Sequence, residues 1–89
     1  MTSKFTILPQ VVARQVGDET VILNVATGTY FGLDPVGTRI WKLLEQGETL
    51  AGIRDAMLQD YEVSREKLES DLLALTKDLM AQNLISMSG

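Results

Sequence analysis

Between residues 11 and 33 the apolar positions fall in short β-branched runs broken by turn residues, whereas beyond residue 34 they recur every three or four places, so the chain changes period once, from strand to helix. Val11 to Val16 and Thr20 to Val25 are two such runs, and Gly17, Asp18 and Glu19 between them predict a hairpin. Ala26, Thr27 and Gly28 supply a second turn before a third extended run, Thr29 to Leu33. The expectation is a three-stranded antiparallel meander.

Asp34 then stands where a helix cap belongs, and Pro35 suits the first helical position, whose N–H needs no partner. Val36, Ile40, Leu43 and Leu44 make the apolar stripe of this first helix, Trp41 widens it as core filler, and Gly47 is placed to end it. Thr49 caps a second helix with the face Leu50, Ile53, Met57 and Tyr61, although Gly52 inside it costs up to about 1 kcal/mol relative to Ala. A third begins at Ser64, with Glu66 at its positive end and Val63 and Leu68 spaced as a hydrophobic staple; Lys67 stands where a full capping box has Glu. Leu68, Leu72, Leu75 and Leu79 form its core stripe, Leu73, Met80 and Leu84 lie beside it and widen it beyond what one contact needs, and Asn83 is placed to cap the helix end. Three strands followed by three helices predict an α+β domain of two layers, the helices covering one face of the sheet. With 89 residues there is room for one domain, read as a partly flexible N-terminal segment 1–8, a folded unit 9–86 and a tail 87–89.

Composition narrows the chemistry. Eight Lys and Arg against twelve Asp and Glu give a net charge of -4, which disfavours phosphate backbones. Cys and His are both absent, which removes disulfides, thiolate nucleophiles, the common zinc ligands and the usual base at neutral pH. No metal or other cofactor is expected, and no carboxylate pair stands in an evident cleft. No stretch approaches the roughly 20 apolar residues of a membrane span, and no signal peptide precedes the first strand, so a cytoplasmic protein is expected. A meander whose spatial order follows the chain leaves one side of Thr29 to Leu33 without a partner strand, and that open edge is the main functional pointer.

The runs Val21-Ile-Leu-Asn-Val, Thr27-Gly-Thr-Tyr-Phe-Gly-Leu-Asp and Gly37-Thr-Arg-Ile-Trp-Lys-Leu-Leu, with the later Asp71-Leu-Leu-Ala-Leu, Leu79 and Leu84-Ile85, resemble the PqqD-like family over about residues 10 to 86. The most specific element is the block from Thr27 to Trp41. The resemblance implies a winged helix-turn-helix-like domain that binds the leader of a ribosomally made precursor peptide without catalysis, as in pyrroloquinoline quinone or lasso-peptide biosynthesis. It implies a modifying enzyme as second partner, either a radical SAM enzyme or a leader peptidase and cyclase. It also implies where the leader lies: as an added strand along Thr29, Tyr30, Phe31, Gly32 and Leu33, its side chains entering a groove beside Leu68, Asp71, Leu72, Leu75 and Asp78. A proline at Phe31 is then the expected way to block the edge.

Blander readings stand beside these. Tyr30 and Phe31 point to opposite faces, so one of them belongs to the core. Gly32 admits a second backbone or marks a bend. Asp71 and Asp78 share a helix face and either meet a cationic leader residue or are simply solvated. Two other functions compete with leader binding. A winged-helix DNA-binding protein is disfavoured by a third helix of net charge -1 between Ser64 and Gln82. An assembly subunit would form a homodimer through the open edge.

Overall fold

A computed structural model gives the structure of residues 3–88. The strands are β1 (Lys4–Ile7), β2 (Val11–Val16), β3 (Glu19–Asn24) and β4 (Thr29–Leu33); α1 (Pro35–Glu45), α2 (Leu50–Asp60) and α3 (Arg65–Ala81) follow, and β5 (Ile85–Ser88) ends the chain. β2, β3 and β4 form the expected antiparallel meander, in that order.

The capping residues do what their chemistry suggests. Asp34 accepts from the Gly37 N–H at 2.7 Å, Thr49 from Gly52 at 3.1 Å and Ser64 from Lys67 at 3.2 Å, each satisfying a donor that the first helical turn leaves without a partner. Gly47 ends α1 at φ 80°, a left-handed conformation that disfavours any residue with a Cβ, and Asn83 closes α3 at φ 57°.

The ends of the chain differ from the expectation of an N-terminal segment and a tail. β1 and β5 pair antiparallel as a second, two-stranded sheet, with Lys4 opposite Ser88 and Ile7 opposite Ile85. The physical reason is burial at long range: Phe5 and Ile85 enter the core, and neither four-residue run signals a strand without the other. Met1, Thr2 and Gly89, which belong to that expected segment and tail, lie outside the described residues.

The core lies between the meander and the helices, where Ile22, Ile53, Met57, Leu72, Leu79 and Leu84 are fully buried. Trp41 is buried there too. Asn24, also fully buried, ties the β3–β4 turn to the end of α3: its Nδ2 donates to the Asn83 carbonyl at 3.0 Å, while its Oδ1 accepts from the Ala26 and Thr27 N–H groups. Arg54 joins α2 to α3 through Glu69 at 2.9 Å and also meets Asp55 at 3.1 Å; the Glu69 bond, then the Asp55 bond, raise its already high pKa.

Gly52 serves no evident conformational need in α2. A Cβ there would meet the carboxylate end of Glu48, an exposed side chain that can swing aside. Gly52→Ala should therefore stabilise the fold by about 0.5 to 1 kcal/mol, read as a rise of several degrees in the thermal midpoint.

Candidate functional site

Which backbone groups the open edge of β4 presents follows from the ladder. Val16 faces Glu19 across the two-residue turn Gly17-Asp18, a hairpin whose flanking residues exchange both hydrogen bonds. The Val25 N–H donates to the Gln10 carbonyl at 2.9 Å, which continues the same alternation to the far end of the pair. Odd-numbered residues of β3 therefore bond to β2, and its even-numbered ones, Thr20, Ile22 and Asn24, bond to β4. Their partners there are Leu33, Phe31 and Thr29. Tyr30 and Gly32 are left with their N–H and C=O groups directed away from the sheet, and no strand pairs with that side among the described residues. This corrects the choice of Phe31 as the residue whose proline would block the edge: its N–H belongs to the ladder with Ile22.

Side chains alternate in register with this. Phe31 and Leu33 face the helices, Leu33 buried and Phe31 packed on the core, whereas Tyr30 is 69% exposed on the outer face of the sheet. Phe31 is thus the member of the pair that belongs with the core.

Beside the edge lies a groove of about 430 Å³ lined by Phe31, Gly32 and Leu33 of β4, by Val36, Gly37 and Ile40 of α1, and by Asp71 and Leu75 of α3, with Asp34 at its rim. It runs into a second hollow of about 260 Å³ whose floor is Val36, Met57, Val63 and Leu68, with Tyr61, Glu62 and Asp71 around it. Val36 and Asp71 border both, so the two make one trench from the edge to the α2–α3 turn. Gly37 sets its near wall: a Cβ there would stand 3.2 to 3.3 Å from the side chains of Leu33 and Asp34, so a larger residue would make them give way by a few tenths of an ångström where α1 begins beside the end of β4.

The structure thus brings together Phe31, Gly32, Leu33, Asp71 and Leu75 around the first hollow and adds Leu68 in the second. Thr29 is half-buried at the head of the strand, its hydroxyl 2.9 Å from that of Thr27. Leu72 has no exposed surface and supports the trench from behind. Asp78 is exposed two turns beyond Asp71 and lines neither hollow. Val36 and Ile40, on the trench wall, read as plain core stripe in the sequence. Val36 follows Pro35 in the first turn of α1 and stays 40% exposed, which only the structure shows.

The trench is apolar with a carboxylate rim. Asp34 is occupied in capping, and Asp71 lies 3.6 Å from Lys67. Arg65 similarly lies 3.8 Å from Glu69, so two of the cations of α3 stand against carboxylates, the wrong chemistry for a helix that reads a phosphate backbone. Among the described residues no cluster of acidic side chains could hold a metal ion, and no helix is long and apolar enough to cross a membrane.

Residues 19–85 match the protein family described as coenzyme PQQ synthesis protein D, PqqD. Among solved structures, the chain is 43% identical to TbiB1, determined in complex with the TbiA(beta) leader peptide, with a TM-score of 0.88 over 91% of this chain and 94% of that one. It is 25% identical to a lasso peptide synthetase B1 complexed with the leader peptide, with a TM-score of 0.86 over 93% of this chain and 98% of the other. No curated protein matches it.

Proposed function

The chain belongs to the PqqD family, and from that premise we propose that it is a non-catalytic carrier, binding the leader of a ribosomally made precursor peptide as a fourth strand on β4 and presenting it to a separate modifying enzyme. The observation that carries this is the pairing of an open edge with an apolar trench: Tyr30 and Gly32 offer main-chain donors and acceptors, and alternate side chains of an added strand fall into the trench between β4, α1 and α3. Both solved relatives described above were determined with a leader peptide bound, which supports the same reading.

The partner enzyme has the chemistry of lasso-peptide maturation, a leader peptidase or cyclase; a radical SAM enzyme is the counterpart in quinone biosynthesis. The likeness to a lasso peptide synthetase component favours the former. Binding occurs in the cytoplasm, where precursor peptides are made, and the open edge serves the leader in preference to a second copy of the chain.

Main-chain bonds worth about 0.5 to 1.5 kcal/mol each and buried anchors worth about 1.5 to 3 kcal/mol each act against the ordering of a flexible peptide, which leaves a reversible, micromolar complex. Calorimetry with the leader of the precursor encoded beside this protein tests it. The intact leader should bind at micromolar Kd, and a scrambled leader of the same composition should not. Equal binding of the two would remove sequence recognition and with it the proposal.

A further inference from the structure

Gly32 is not explained by the fold. Its backbone is not left-handed, and the place where a Cβ would stand has nothing within 4 Å. A strand-interior glycine without such a need sacrifices side-chain packing and gains backbone entropy in the unfolded state, so valine or threonine would suit β4 better by itself. The missing side chain belongs to the outer face, since Gly32 pairs with Val21, which is 40% exposed, and it stands two residues from the outward Tyr30, on the same side of the strand. Gly32 also offers its N–H and C=O to the open edge. A residue bonded to it from an added strand therefore projects its own side chain onto that same outer face, directly beside the gap.

Resting on the leader-binding reading, we infer that Gly32 is a specificity notch. The leader residue opposite it carries a large apolar or aromatic side chain, which lies across the glycine and packs on Val21 with Tyr30 at its flank. Aromatic side chains cover strand glycines from a neighbouring strand in just this way, filling the space the glycine leaves. The leader is then read on both faces of the extended sheet. Its residues opposite Phe31 and Leu33 enter the trench, and the residue between them is held on the outside. A small or charged residue at that middle position forfeits the contact with Val21, so the notch discriminates among leaders that would fill the trench equally well.

The test is a calorimetric cycle with the leader encoded beside this protein. Each residue of its bound segment is changed in turn to Ala, and each peptide is titrated into the parent, Gly32→Ala and Gly32→Val. Thermal melts should show both variants folded and at least as stable as the parent. Gly32→Val should bind the intact leader about tenfold more weakly and Gly32→Ala by a smaller factor, the contact being of the size of a cross-strand aromatic pair. One leader position, between two trench anchors, should weaken binding to the parent when changed to Ala yet make little further difference to Gly32→Val. Unchanged affinity in a folded Gly32→Val, or the absence of any such coupled position, overturns the notch. If in those circumstances the intact leader still binds and a scrambled one does not, the carrier reading stands and only the notch falls.

Discussion

Tyr30→Pro should fold as the parent does and bind the leader at least about thirtyfold more weakly. Proline is tolerated on an edge strand when its nitrogen faces away from the ladder, and Tyr30 is in that position, with a side chain already largely in solvent. The substitution removes one donor, worth about 0.5 to 1.5 kcal/mol, and sets a ring against the leader carbonyl that would have accepted from it, leaving a buried acceptor unsatisfied at about 1 to 3 kcal/mol more. About 2 kcal/mol is already a factor of thirty in Kd. Phe31→Pro is the contrasting control. It breaks the bond to Ile22 inside the sheet, so its effect is on folding, and a melt distinguishes the two. A folded Tyr30→Pro that binds as tightly as the parent would show that the leader does not use this edge.

Leu72→Ala should act on stability instead, lowering it by about 2 to 5 kcal/mol and the thermal midpoint by roughly 10 °C or more. Leu72 is wholly enclosed at the heart of the helical layer, and truncation leaves a cavity that α3 cannot collapse without disturbing Leu68 and Leu79, its stripe neighbours. For a domain whose total stability is of order 5 to 15 kcal/mol this is a large fraction. The resemblance to PqqD-like proteins places Leu72 among the leader-contacting residues. The expected separation is sharp: well below the new midpoint, leader affinity changes much less than it does in Tyr30→Pro. A variant with an unaltered melt and lost binding would return Leu72 to the binding surface.

What the sequence made legible was local. The caps at Asp34, Thr49 and Ser64, the glycine stop at Gly47 and the strand alternation depend on neighbours within a few residues, and each stands where its chemistry predicts. The pairing of β1 with β5 joins segments some eighty residues apart, and neither half is apolar enough to announce a strand. Asn24 reads as one polar residue at the end of a strand; only the structure shows it buried against the end of α3. For the site, the open edge and the face of α3 could be anticipated, since periodicity assigns faces. The hydrogen-bond parity of β4 could not, because it depends on the register inherited from the Gly17-Asp18 turn through β3, and it decides which residues address the leader. Val36 and Ile40 were hidden by their periodicity, which is the same for a helix face that meets the sheet as for one that lines a trench.

The second sheet has an architectural consequence. Because Lys4 lies opposite Ser88, the points where the chain enters and leaves stand within a few ångströms of each other, on a sheet separate from the one that carries β4. The whole unit can therefore be spliced into a surface loop of another polypeptide as readily as joined to one of its ends, since the host loop has almost no gap to span.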